Sequence, residues 1–277
     1  MTRFNPDIAN QDRSVLRRAK GVQRNPPAMI TFTDAMFLGV DLGWYGKPSG
    51  LASVALNRDG LTLRHVTRLE HIEDTPGILH WVESQAAASP SIVIAVDAPL
   101  VIPNLTGIRD AEREVNSDFH RFHAGCHPAN LGRPFAQNVL SFSHRLADLG
   151  FRHGAALTPR QHGRFQIEVH PHAAAVNLFD LPRIVKYKRG RRAERATELR
   201  RLRRLMLQRL PLLEPPLCLR LPPIPNTGNL KPVEDQIDAV LCAYIAAHWW
   251  FWATERNRVY GTAETGYIVV PGRSPAP

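Results

Sequence analysis

The sequence predicts an α/β protein in which a mixed sheet is flanked by helices. Three strand-like runs, 37–41, 50–56 and 61–69, follow one another closely. After an intervening helical segment comes 91–97, a solidly apolar run of the kind buried on both faces of a sheet. A long apolar helix then spans 233–254 near the end of the chain.

Taken in order, the second and third runs are joined by Asn57-Arg58-Asp59-Gly60, whose Asp-Gly is a hairpin signal. The segment 74–87 places Ile78, Leu79, Trp81 and Val82 along one side, as a helix would. Pro99 and Pro103 stop the fourth strand. Helices are expected over 109–122 and 136–149, divided by the loop 123–134. A fifth strand, 164–169, precedes a short helix starting at Pro171. The stretch 192–209 reads as a helix with Leu199, Leu202, Leu205, Met206 and Leu210 on one side. An irregular connector with seven prolines, 211–232, leads into the last helix, and 267–270 reads as a final strand ended by Pro271.

A three-stranded antiparallel meander, then a helix crossing to a fourth strand beside the first, is the order of the ribonuclease H fold. The expected sheet is five-stranded, in the order 3-2-1-4-5. Strands one and four then run parallel, with their C-terminal ends on one edge, where open α/β sheets bind ligands.

The chain has 277 residues, with 35 Lys plus Arg against 25 Asp plus Glu. Residues 1–30 carry no apolar period and read as a disordered basic arm, leaving 31–277 as the folded domain. No apolar run reaches 18 residues and no secretory h-region is evident, so neither a membrane partner nor export is expected. The three cysteines, Cys126, Cys218 and Cys242, are scattered and suit a reducing cytoplasm. The window 181–220 holds 13 Lys or Arg and 3 Glu, an excess that matches the formal net charge of +10. Basic residues crowded on one element attract phosphate, so a nucleic-acid partner, DNA or RNA, is expected. The phosphate contacts are expected from Arg109, Lys186, Lys188, Arg191, Arg192 and Arg195. Sequence does not fix the oligomeric state.

The acidic residues fall at informative places. Asp41 ends the first strand and Asp97 the fourth, while Asp235 and Asp238 lie three apart at the head of the last helix, on one face. Strand ends converging on that helix start would gather four carboxylates, which is costly unless a cation sits among them. Hard ions such as Mg2+ or Mn2+ prefer such oxygens, and two of them can activate a water and stabilise the leaving oxygen of a phosphodiester. Asp41 is expected to bridge two ions, with Asp97 and Asp238 on either side. Asp235 and Glu168 are expected as supporting ligands or water-orienting groups.

These motifs also carry a resemblance. Gly39-Val40-Asp41-Leu42-Gly43-Trp44, Ala95-Val96-Asp97-Ala98-Pro99-Leu100, Glu168-Val169-His170-Pro171 and Asp235-Gln-Ile-Asp238-Ala239 occur in this order, with Tyr187-Lys188-Arg189 and a closing Gly266-Tyr-Ile-Val-Val-Pro271. The set resembles the predicted ribonuclease H-like nucleases called domain of unknown function 429, over about 37–271. The resemblance implies a ribonuclease H-like fold and a metal-dependent nuclease. The pair Asp235 and Asp238 is also similar to the final acidic pair of bacterial Holliday-junction resolvases.

Other constellations carry less. His120, His123, Cys126 and His127 are zinc-compatible residue types, but solvent-facing histidines beside a substrate path are the stronger expectation. His170 and His172 flank Pro171, as a proton shuttle or as capping and core groups. Among Trp249, Trp250 and Trp252, core packing is expected for at least two. The function expected overall is a divalent-metal-dependent nuclease. The alternatives are an ATP- or phosphate-binding protein of the actin and sugar-kinase branch, for which Asp41-Leu42-Gly43 is the one matching phosphate loop, and a non-catalytic nucleic-acid-binding module.

Overall fold

The computed structural model describes residues 35–58, 60–70, 75–87 and 89–273. The arm expected over 1–30 lies outside them.

Three strands open the described chain, β1 (Ala35–Asp41), β2 (Ser49–Asn57) and β3 (Gly60–Leu69). They form an antiparallel meander with Asn57 opposite Gly60 at the hairpin. Helix α1 (Thr75–Ala86) crosses to β4 (Ser91–Val96), every residue of which is buried. Helices α2 (Asp110–Phe119) and α3 (Ala136–Asp148) follow, then the two-residue strand β5 (Arg152–His153), β6 (Gly163–Glu168) and α4 (Pro171–Leu178). After α5 (Arg192–Arg209) come another two-residue strand, β7 (Leu217–Cys218), and the 22-residue α6 (Lys231–Trp252). Strands β8 (Asn257–Thr262) and β9 (Gly266–Pro271) close the chain.

The main sheet has seven strands in the order β5-β6-β4-β1-β2-β3-β7, which differs in count and order from the five expected. The difference arises at the edges, where β5 and β7 add two residues each, too few to leave a periodic pattern. Pairing is antiparallel for β1–β2 and β2–β3 and parallel for β1–β4, β4–β6, β5–β6 and β3–β7. The apolar run at 267–270 is a strand, but it belongs to a separate two-stranded ribbon with β8.

Strand side chains alternate between faces, and the two cores follow that alternation. Phe37, Val93 and Ala95 join the core beneath α4, α5 and α6, whereas Met36, Leu38, Val40, Ile92, Ile94 and Val96 join the core beneath α1 and α3. A central parallel strand buried on both faces reads as a near-continuous apolar run, as β4 does from Ile92 to Val96. Helix α6 is buried from Val233 to Trp250, apart from the half-buried Gln236, so the fold packs around it. Trp249 and Trp250 are core residues, and their indole N–H groups donate to Gly154 O and Gln161 O, each at 2.8 Å.

Two glycines set how α6 meets the sheet. A Cβ on Gly39 would stand 2.0 Å from Ala239 O and 2.3 Å from Ala243 N, and one on Gly50 would stand 2.0 Å from Asp235 O. The helix backbone therefore lies directly on β1 and β2, which only glycine permits. Asp41 pairs with Gly50 in the β1–β2 ladder, so the first turn of α6 is set down beside the end of β1.

Candidate active site

The carboxylates reach one edge by register. Val40 pairs with Val96 in the parallel ladder, and the N–H of Asp97 donates to Val40 O at 2.9 Å, so Asp41 and Asp97 leave adjacent strands side by side. Helix α6 begins at Lys231 with Pro232 in its first turn, and Asn229 Oδ1 accepts the Lys231 N–H at 2.9 Å. One and two turns on, Asp235 and Asp238 are buried, near the helix end whose dipole favours negative charge.

The charges of the other three act on Asp41. Burial pushes the Asp41 carboxyl well above its ordinary range; Lys188 opposes this, and Asp238, Asp97 and Asp235 add to it. Burial likewise pushes Asp97 up to about 6, with Lys188 opposing and Asp238 adding. The structure thus brings together the four residues that the sequence singles out.

Each of the two helix carboxylates has one satisfied oxygen and one poorly satisfied oxygen. Asp238 Oδ1 accepts the Tyr187 hydroxyl at 2.6 Å, while its buried Oδ2 lies 2.9 Å from Lys188 Nζ without an aligned hydrogen bond. Asp235 Oδ2 accepts from Arg68 Nε at 2.8 Å, while Oδ1 lies 2.6 Å from Lys231 Nζ, again without an aligned hydrogen bond. Burial alone would lower the Lys188 ammonium, but Asp238, with Asp41 and Asp97 behind it, holds it well above its ordinary value. Lys231 is raised for the same reason, chiefly by Asp41 and Asp235.

The chemistry of these donors is that of a hard-cation site: they are carboxylates throughout, and two buried oxygens lack aligned donors, although each lies beside an ammonium. Among the described residues, no three His, Cys, Asp or Glu side chains already converge in a ligand set. The cationic charge that the cluster needs is supplied instead by Lys188 and Lys231. Asp41, Asp97 and Asp238 are the residues that would hold an ion.

Two expectations need correction. Glu168 is not free to ligate or to orient a water. Its Oε1 accepts from Arg109 Nη2 at 2.6 Å, and its Oε2 accepts from Arg109 Nη1 at 2.9 Å and from the Leu100 N–H at 3.0 Å. Burial pushes Glu168 up to about 7, with Arg109 opposing. Arg109 does not reach for a backbone phosphate: it is 3% exposed, and its remaining donors go to Glu112 Oε1 and Val101 O. The pair ties the loop after β4, through Leu100 and Val101, to the end of β6.

The basic stretch divides. The α5 face with Ala196, Leu199, Leu202 and Met206 is buried, as its leucines imply. Arg192 donates to Gly228 O and Pro225 O, and Arg203 to Pro222 O and Leu221 O, so these side chains hold the proline-rich connector in place. Arg195 bonds Tyr187 O and Glu234. Lys186 and Arg191 are exposed and make no salt bridge among the described residues, although the Arg191 backbone N–H caps α5 on Glu194. Of the sequence candidates, Lys186 and Lys188 face the site and Arg192 and Arg195 serve the fold.

Beside the carboxylates lies a cavity of about 630 Å3, lined among others by Asp97, Lys188, Lys186, Arg189, His127 and His172. His120, His123 and His127 are exposed, and the last two line the cavity, without a metal-holding cluster among the described residues. His170 is pushed down to about 4 by burial and bonds Ala124 O through Nε2, and His172 is pushed well down by burial and by Lys188. Both imidazoles are therefore neutral near pH 7.

A family model, described as protein of unknown function (DUF429), matches residues 39–265. The chain belongs to the DUF429 family. All four aspartates and Lys188 lie inside the matched span. The family description carries no activity, so membership leaves the reaction to be argued from the site. No curated protein matches the chain.

Sequence reasoning missed the DUF429 chain's Arg68 and Lys231, and gave no site role to Tyr187 and Trp44, which stand in the motifs quoted above. Lys231 stands four residues before Asp235, a readable helix pair. Arg68 and Tyr187 are 167 and 51 residues from their partners, and nothing local announces them.

Proposed function

We propose that this protein is a divalent-metal-dependent hydrolase of phosphodiester bonds in nucleic acid. The observation that supports the reading is the convergence of Asp41, Asp97, Asp235 and Asp238 at one sheet edge, with two buried carboxylate oxygens lacking aligned donors. Mg2+ or Mn2+, when bound, would supply water activation and stabilisation of the leaving oxygen. Asp41, Asp97 and Asp238 would hold the metal. Asp235, already shared by Arg68 and Lys231, orients the helix turn that carries Asp238. Lys188 stands between these carboxylates and the cavity, where its ammonium meets a phosphate oxygen as a point charge. Exposed Lys186 lies on the same wall.

The phosphate-loop alternative has less support. The Gly43 N–H already donates to Ser49 Oγ at 3.0 Å, and the turn closes on itself through Gly46 N to Gly43 O. The Gly43 and Gly46 amides are thus engaged within the protein.

The test is cleavage of labelled DNA and RNA with Mn2+, wild type against Asp41→Asn, with ATP binding measured in parallel. The expected result is metal-dependent cleavage that Asp41→Asn abolishes while the melting temperature holds or rises, since one charge leaves a repelling cluster. Full activity in Asp41→Asn, or no cleavage of any nucleic acid by the wild type, overturns the reading. A protein that binds nucleic acid without cutting it would be a binding module.

A further inference from the structure

The cavity beside the aspartates shares Asp97 and Lys188 with the cluster, so whatever reacts at the carboxylates has its neighbouring part in that space. Its lining is chemically mixed. It includes Asp97, and also Lys186 and Arg189, both exposed and without a carboxylate partner among the described residues. Pro99, Val169, Ile184 and Ile268 supply apolar surface, and His172 and His127 supply hydrogen-bonding groups. Trp44 also lines the cavity. Its indole N–H donates to Asp97 O at 2.8 Å, and its ring lies 4.6 Å from that of Phe135, so an aromatic face is fixed beside Asp97.

Cations for a phosphate, an apolar wall with polar groups for a heteroaromatic ring, and a fixed indole for stacking describe a nucleotide. At about 630 Å3 the space is that of a small-ligand pocket. A duplex is instead followed along grooves and a run of phosphates. We infer that the cavity receives one unpaired nucleotide of a single strand, its base against the Trp44 ring and its phosphate held by Lys188, Lys186 and Arg189. This rests on the nuclease reading and narrows its substrate to single-stranded or locally unpaired nucleic acid. The base is taken out of any stack before it enters, a step that costs least where no pairing has to be broken.

The experiment is binding of the full chain, with EDTA present, to nucleoside monophosphates, a single-stranded oligonucleotide and the matching duplex, measured by calorimetry and by competition. Two variants carry the test, both at exposed positions so that folding is preserved: His127→Trp, which fills the cavity, and Lys186→Glu with Arg189→Glu, which reverses its wall. The expected result is one monophosphate per chain, competing with the single strand. Each variant should weaken both by about tenfold or more, with the melting temperature unchanged and Mn2+ affinity unchanged in His127→Trp and not lowered in the charge reversal. Monophosphate binding that does not compete with the strand would assign the cavity to a free phosphorylated small molecule and overturn the inference. So would a duplex bound as tightly as the single strand, or variants that bind like the wild type. Since Mn2+ and cleavage play no part in this readout, its failure is separable from loss of metal-dependent cleavage.

Discussion

Lys188 Nζ stands 2.9 Å from Asp238 Oδ2, and that oxygen, although buried, accepts no aligned hydrogen bond. The ammonium is held there by charge and not by hydrogen-bond geometry. The side chain is also 31% exposed, so the counter-ion of the cluster keeps contact with solvent. A cation held this way is one that a divalent ion can displace.

Lys188→Met should therefore have two opposite effects. Without metal, the carboxylates lose their main neutralising charge and the protein should melt lower, because an uncompensated buried charge is costly. Mn2+ should bind more tightly, since it no longer competes with a resident ammonium, and the gain should be about tenfold or more. Calorimetric titration with Mn2+ alone checks this. Weaker Mn2+ binding in Lys188→Met would mean that the lysine does not occupy the ion's place.

Asp97 gives the pH dependence. Its folded value of about 6 is above that of the unfolded chain, so between about pH 4 and pH 6 the folded state holds the proton more tightly. Stability from this group is greatest below that window and is lost as pH rises through it. Buried neutral histidines such as His170 work in the opposite direction, so the whole-protein curve mixes the two. The difference between Asp97→Asn and wild type isolates the carboxylate. The variant should match wild type near pH 3.5, gain on it up to about pH 6 and hold a constant advantage above that, by denaturant unfolding in EDTA. A difference that does not change with pH would place Asp97 outside the mutually repelling cluster.

How much was legible follows from range. Strand β4 is apolar from Ile92 to Val96, and the helical period of α6 sets Asp235 and Asp238 on one face, so both ends of the aspartate cluster could be read locally. The hairpin announced itself through Asp59-Gly60, and with the crossover helix it fixed which strand ends lie together. Strands β5 and β7, of two residues, have no period, and β8 (Asn-Arg-Val-Tyr-Gly-Thr) is mixed enough to pass for a loop. Arg109 misled for a different reason. Its helix partner Glu112 is visible three residues on, but Glu168, which takes the rest of the guanidinium, is 59 residues away. Charge in sequence does not say whether a side chain is solvated or paired; only the fold does.

The Arg109–Glu168 pair is accordingly a test of structure and not of ligand binding. Arg109→Ala leaves Glu168 and Glu112 buried without their partner, which should cost about 3–5 kcal/mol of stability. Arg109→Lys should recover only part of this, because one ammonium cannot replace a bidentate fork that also reaches Val101 O. Urea unfolding measures both. A stable Arg109→Ala protein with weakened nucleic-acid binding would return Arg109 to the ligand.

The sharpest link between fold and site is Gly39. A methyl there would stand 2.0 Å from Ala239 O and 2.3 Å from Ala243 N, inside the backbone of α6, where no flexible side chain can yield. Gly39→Ala should force α6 away from β1, at a cost of about 1–3 kcal/mol or more for the overpacked contact. Ala239 is the neighbour of Asp238, so the shift moves that carboxylate relative to Asp41 and Asp97 at the strand ends. The expected outcome is a protein that still folds, melts lower and binds Mn2+ less tightly than wild type. Gly107→Ala is the control: it is a glycine with open space around it, exposed and with φ at +81°, where a methyl strains the turn but reaches nothing of the site. It should lose some stability and keep its Mn2+ affinity. If Gly39→Ala also kept its Mn2+ affinity, the aspartates of α6 would not belong to the metal site, and the reading of this edge as catalytic would fail with them.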